Sequence, residues 1–165
     1  MFTFKKSIFI VLILIGFSAC FSNRLMERNP DLKIVSNNVE YELLVVSQNN
    51  QMNSYGLIFN ESSKNTSTGE FGKLYLATLE IRNKSKEVKS VDLKNILLCD
   101  KNKNCLPPVR FDIKSAIDAH AKEILTLDAG EKKGREIYYA GSKSFFPGFL
   151  LLKDSGDFVE FEYKK

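Results

Sequence analysis

From Lys73 to Arg82 the chain alternates. Tyr75, Ala77, Leu79 and Ile81 share one face while Lys73, Glu80 and Arg82 mark the other, the two-residue period of a strand with one face in a core. Short segments of this kind recur along the sequence. Val39–Ser47 begins alternating and becomes apolar on both faces, and Tyr55–Asn60, Val88–Leu93, Ile96–Cys99, Leu106–Val109, Ile124–Leu127 and Arg135–Ala140 follow. Phe149–Lys153 is a continuous apolar run, the pattern of a strand buried on both faces. Val159, Phe161 and Tyr163 then alternate with Glu160 and Glu162 in a last strand. Polar clusters at Gln48–Ser54, Glu61–Gly69, Asn83–Glu87 and Asp128–Glu131 separate these segments as turns or surface loops. Eight or nine short strands over this length predict a β-sandwich or barrel, with lysines guarding its edges. One stretch breaks the rhythm: Ile113, Ala116, Ile117, His120 and Ile124 recur at three and four, which predicts a short amphipathic helix capped by Asp112.

The first nineteen residues obey a different rule. Lys5-Lys6 precede an apolar stretch from Ser7 to Ala19 of 13 residues, too short to span a bilayer comfortably and of the length expected for a cleaved export signal. Its end, Phe17-Ser18-Ala19-Cys20, resembles the lipobox of bacterial lipoproteins, with Phe17 standing where leucine is usual. That resemblance implies a diacylglycerol on the Cys20 thiol after cleavage, hence a membrane-bound but non-spanning protein of the cell envelope. Phe21 is not the aspartate that retains such proteins at an inner membrane, which tilts the expectation toward the outer one, periplasmic or surface-facing. Residues 20–33 are expected to form a lipidated tether and 34–165 the domain.

Removing the signal leaves 146 residues, the common size of one domain with a proper core. Two of the 24 basic residues and none of the 20 acidic ones leave with it, so the mature chain carries about +2. That charge gives no footprint for nucleic acid. With Cys20 assigned to lipid, Cys99 and Cys105 remain as an isolated pair in an exported chain. The polar spacer Asp100–Asn104 can turn between them, so a structural disulfide is expected. Reduced thiols or a redox pair are the alternatives, but redox and metal pairs favour a two-residue spacer with further ligands nearby.

From Phe71 to Tyr163 the chain resembles immunoglobulin-like extracytoplasmic domains of bacterial lipoproteins whose function is unknown. The residues that carry the likeness are Phe71-Gly72-Lys73 leading Leu74–Ile81 into Arg82-Asn83-Lys84-Ser85, then Val88–Leu93. Leu127-Asp128-Ala129-Gly130-Glu131 and Gly134 before Ile137-Tyr138-Tyr139 complete it. The resemblance implies a mainly β, immunoglobulin-like sandwich with one short helix behind a cleaved signal. It supplies no catalytic residues.

Chemistry is sparse. His120 is the single histidine, without a nucleophile motif beside it though Asp118 and Glu123 are near, and it reads as a packed or surface residue. Glu40/Glu42 and Glu160/Glu162 share strand faces but read as solvent faces. Asn60, Asn65 and Asn83 open glycosylation-like triplets and are read as turn chemistry. Phe145-Phe146-Pro147 is either a plug at the end of the sandwich or an exposed contact site, the plug being favoured. No catalytic residue, metal ligand or cofactor site is assigned. The sequence therefore points to a non-enzymatic, lipid-anchored envelope protein that acts as a binding or interaction module for another envelope protein, a host molecule or a larger assembly. The alternatives are an accessory subunit of a secretion or transport complex and, third, an enzyme acting on envelope polymers.

Overall fold

The computed structural model describes residues 23–26, 29–49, 73–114, 120–142 and 144–162. Twelve strands occupy most of them: β1 (Asn23–Arg24), β2 (Lys33–Ser36), β3 (Val39–Asn49), β4 (Lys73–Asn83), β5 (Lys89–Asp92), β6 (Ile96–Asp100), β7 (Cys105–Leu106), β8 (Pro108–Ile113), β9 (Ile124–Leu127), β10 (Lys132–Gly141), β11 (Pro147–Leu152) and β12 (Phe158–Glu160). A six-stranded sheet runs β1-β3-β4-β10-β8 with β2 beside β3, a four-stranded sheet runs β12-β11-β6-β7, and β5 pairs β9. All pairings are antiparallel. The protein is mainly β, and its two larger sheets close on one core as a sandwich.

Alternation decides which side chains enter that core. Tyr75, Ala77, Leu79 and Ile81 of β4 and Ile137 and Tyr139 of β10 are fully buried, and they share one cluster with Leu98, Leu150, Leu152 and Val159 of the smaller sheet. The odd face of β4 is thus the core face the sequence indicates. Val39–Ser47 looks apolar on both faces partly because β3 carries a bulge between Leu43 and Val45. The extra residue lets Leu43 and Val46, three apart, both enter the core.

Two hairpins turn on residues with positive φ. Asn37 (φ 50°) and Asn38 (φ 63°) form the two-residue connection between β2 and β3, a turn that asparagine tolerates better than most residues. In the β6–β7 hairpin Lys103 has φ 65°. Its N–H donates to the Asp100 carbonyl at 3.0 Å while the Asp100 N–H donates to the Asn104 carbonyl at 2.9 Å.

Three expectations change. The stretch 20–33 is not a loose tether where it is described. Asn23 and Arg24 pair with Gln48 and Ser47, and Met26, 1 % exposed, joins the core. One buried methionine with short strand pairing leaves no periodic signal, so the folded unit reaches back to residue 23. The helix over Asp112–Ile124 fails at both ends: Asp112 and Ile113 belong to β8, Ile124 to β9, and His120 bridges Asp112 as an antiparallel pair. Ile113 and Ile124 are exposed rather than core residues, so their helical spacing is coincidental, and Asp112 is not a cap. The helical element among the described residues is instead a 3₁₀ turn at Leu93–Asn95, capped by Asp92. Finally, β11 is not buried on both faces. Leu150 and Leu152 point inward, while Phe149 and Leu151 are half-buried on the outer side.

The strand expected at Tyr55–Asn60, the loop Glu61–Gly69 with Asn65, and residues 115–119 with Asp118 lie outside the described residues, as do Phe71-Gly72 and Tyr163.

Candidate functional site

Cys20 and the signal before it lie outside the described residues. Cys99 and Cys105 are joined in a disulfide, opposite one another on β6 and β7 with Cα atoms 4.0 Å apart. The hairpin beyond them is organised by Asp100, whose carboxylate accepts from the Asn102 N–H, the Asn104 N–H and the Asn104 side-chain amide at 2.8 to 2.9 Å. Those bonds, the Asn104 side chain first, hold the Asp100 carboxyl below its ordinary pKa.

His120 lies at the surface. Its Nδ1 sits 3.1 Å from Oδ1 of Asp112, a buried carboxylate that also takes Arg110 Nε at 2.9 Å. The guanidinium in turn stacks over the Tyr138 ring. Sequence proximity suggested Glu123 as a neighbour, yet Glu123 pairs with Lys94 at 2.6 Å. The true carboxylate partner, eight residues upstream, comes from the strand pairing of Asp112 with His120. A carboxylate-held imidazole is half of a hydrolytic set, and among the described residues no hydroxyl or thiol is bonded to His120 to complete it.

Glu40 meets Lys84 at 3.1 Å, and Glu160 and Glu162 are exposed. Phe145 and Phe146 divide the two roles offered for them. Phe145 is buried edge-on against Tyr75, whose hydroxyl donates to the Phe145 carbonyl at 2.6 Å. Phe146 is 52 % exposed with the Lys73 ammonium 5.8 Å from its ring centre.

A cleft of about 120 Å³ opens at one end of the sandwich. Three connections build it: the Asn37-Asn38 turn, the β5–3₁₀ segment Lys89–Asn95, and the turn after β11 carrying Asp154 and Ser155. Its walls are tied together. Asn95 donates its side-chain amide to Asp154 Oδ2 at 2.8 Å and accepts the Lys153 N–H on its carbonyl at 2.8 Å. Asp92 Oδ1 accepts the Lys94 N–H at 3.0 Å. Tyr41 enters from the core side of β3 and is 9 % exposed. Its hydroxyl pKa is pushed up to about 12, chiefly by burial and then by the nearby Asp154 carboxylate. Sequence reasoning missed this site, because its residues come from turns more than a hundred positions apart and none forms a motif.

Among the described residues no group of three His, Cys, Asp or Glu side chains could hold a metal ion, and no helix is long and apolar enough to cross a membrane.

Known protein families and curated proteins yield no match to this chain. Among solved structures, it is similar to an uncharacterised β-sandwich protein from Clostridium difficile, with a TM-score of 0.49 and 11 % identity over 88 % of this chain and 98 % of that one.

Proposed function

We propose that this protein is a non-enzymatic lipoprotein of the bacterial cell envelope, anchored through Cys20, whose immunoglobulin-like sandwich serves as an interaction module for another protein. The observation that carries the reading is the position of β1. It begins at Asn23, three residues after Cys20, and pairs with the far end of β3 at Gln48. The open cleft lies at the near end of β3, beside Val39 and Tyr41. Three extended residues span at most about 10 Å, so an acyl group attached at Cys20 would be held close to the sandwich, at the end of β3 remote from the cleft. A short leash with a pocket at the distal end suits presentation of a binding surface away from a membrane.

The Phe17-Ser18-Ala19-Cys20 sequence and the Phe21 that follows support acylation and outer-membrane sorting. The antiparallel two-sheet arrangement supports the immunoglobulin-like kinship.

The test is metabolic labelling with a fatty acid together with cross-linking in intact cells. Wild-type protein incorporates the label and fractionates with the outer membrane, Cys20→Ser does neither, and a discrete cross-linked species forms at the cleft end. Label on the Cys20→Ser protein, or turnover that depends on His120, overturns the reading.

A further inference from the structure

We infer that the end of the sandwich at which β1 begins rests on a phospholipid bilayer bearing anionic head groups, with the Phe146 ring entering the interface. The inference deepens the anchored role proposed above and rests on the lipid at Cys20.

Strand register gathers four segments at this end. Asn23 lies opposite Gln48, Asn49 opposite Leu74, and Lys73 opposite Gly141. From Gly141 the chain passes through the Phe145-Phe146 turn into Pro147, which pairs with Asp100 at the mouth of the β6–β7 turn. The start of β1, Lys73, Phe146 and the Asp100–Asn104 turn therefore share the end remote from the cleft. A lipid on Cys20, three residues before Asn23, brings that same end to the bilayer.

Phe146 is the apolar element of the surface. It is 52 % exposed, whereas Phe145 is buried against Tyr75. The Tyr75 hydroxyl holds the Phe145 carbonyl at 2.6 Å, and the Phe145 N–H donates to the Ser142 carbonyl at 3.2 Å. The ring is thus presented on a turn already fixed from the core side, which lowers the ordering cost of a contact. One exposed aromatic needs no explanation by itself. This one has the Lys73 ammonium 5.8 Å from its ring centre, and an aromatic beside basic side chains is the composition of a surface that lies in a membrane interface.

Charge supplies the third element. Arg24, Lys101 and Lys103 are exposed at this end together with the half-exposed Lys73. Lys101 leans across the start of β11, where a β-carbon added to Gly148 would meet its Cγ at 3.1 Å. Against these four cations the described residues set two carboxylates, Asp100 and Glu162. Asp100 is occupied by three N–H donors of its own turn. The cleft end is mixed instead, with Lys89 beside Asp92 and Asp154, and Lys94 paired to Glu123. A basic rim around an aromatic ring complements anionic head groups, and the attachment point beside it selects a bilayer over an acidic protein.

The chain contains no tryptophan, so a single one reports on its own position. Phe146→Trp places it at the inferred contact, Ser144→Trp on the same exposed turn is the second reporter, and Val35→Trp, 61 % exposed beside Ser36 of the cleft rim, is the distal control. The full chain, purified from its membranes in detergent, is reconstituted into vesicles of phosphatidylcholine with brominated acyl chains, alone or mixed with phosphatidylglycerol. Expected are a blue shift and strong quenching for Phe146→Trp in the mixed vesicles, little quenching in phosphatidylcholine alone, and none for Val35→Trp. Lys73→Gln and Lys101→Gln should each lower the ratio of contacting to free protein about fivefold, with an unchanged thermal midpoint showing that the variants are folded. The inference falls if neither turn reporter is quenched, if Val35→Trp is quenched equally, or if phosphatidylglycerol and the lysines make no difference. Acylated protein that floats with the vesicles while its turn reporters stay unquenched removes the bilayer contact and leaves the anchor standing. Wild-type protein without an acyl group removes the anchor and the inference with it.

Discussion

Tyr139 of the six-stranded sheet donates its hydroxyl to the carbonyl of Ile96 in the four-stranded sheet, 3.0 Å away, from a fully buried position. It is a polar tie within the core, and it links β10 to the first residue of β6. Tyr139→Phe keeps the ring and strands the carbonyl. The expected loss is about 1 to 3 kcal/mol of unfolding free energy, read as a lower denaturant midpoint with an unchanged slope. A variant as stable as the wild type would show that the Ile96 carbonyl finds another donor.

Tyrosines should make the fold alkali-sensitive. Burial raises the Tyr75 hydroxyl from 10.0 to about 12, and Tyr139 is pushed higher still. The unfolded chain gives up these protons first, so stability is full below about pH 10 and falls as pH rises toward 12. Unfolding curves between pH 9 and 12 measure this, and Tyr75→Phe should flatten the decline.

Acid acts through Glu80. Hydrogen bonds from Lys132 and then Lys114 lower its carboxyl from 4.5 to about 2. Its contribution is present above the unfolded pKa and is lost as pH falls from about 4.5 toward 2. Glu80→Gln should be less stable than wild type at neutral pH and approach it near pH 2. A constant gap across that range would show that the lysines do not act through charge.

Asn83 is fully buried where β4 ends. Its side-chain amide donates toward the carbonyls of Glu87, Leu127 and Asp128 at 2.6 to 3.2 Å, and its Oδ1 accepts from Ser85 N–H at 2.9 Å and Ser85 Oγ at 2.8 Å. Asn83→Ala removes all of these and should cost about 2 to 4 kcal/mol, seen in chemical denaturation.

The cysteine hairpin offers two opposite changes. Reducing the disulfide, or Cys99→Ala with Cys105→Ala, should cost about 2 to 3 kcal/mol for so short a loop. Lys103→Gly should raise stability by about 0.5 to 1 kcal/mol, because the left-handed conformation at φ 65° suits glycine better than lysine. Denaturant midpoints measured for both test the pair, and a loss on Lys103→Gly would mean that the lysine side chain contributes more than its backbone costs.

Legibility followed burial geometry. Where one face of a strand meets the core, as in Lys73–Asn83, the alternation was plain in the sequence. The Gly130 turn and the Cys99–Cys105 hairpin were equally readable, because turn chemistry and redox context are local. The helix read through His120 failed at its ends because Ile113 and Ile124, though set at helical spacing, belong to two different strands and are both exposed. Phe149 and Leu151 were read as buried because their apolarity says nothing of what covers the outer side of a sheet. Tyr41, Asp92, Asn95 and Asp154 were not recognisable together, since strand order rather than spacing brings them to one cleft.

The two-residue strand at Asn23–Arg24 has a mechanical consequence. Its ladder partners lie at the end of β3 remote from the cleft, and its bonds run across the strand axis, so a pull on residue 23 against an occupied cleft loads them in shear along the length of β3. Met26, locked into the core just behind, then acts as a stop against slippage. In the proposed role, a grip at one end and a leash at the other would make the long strand between them the tension member of the molecule.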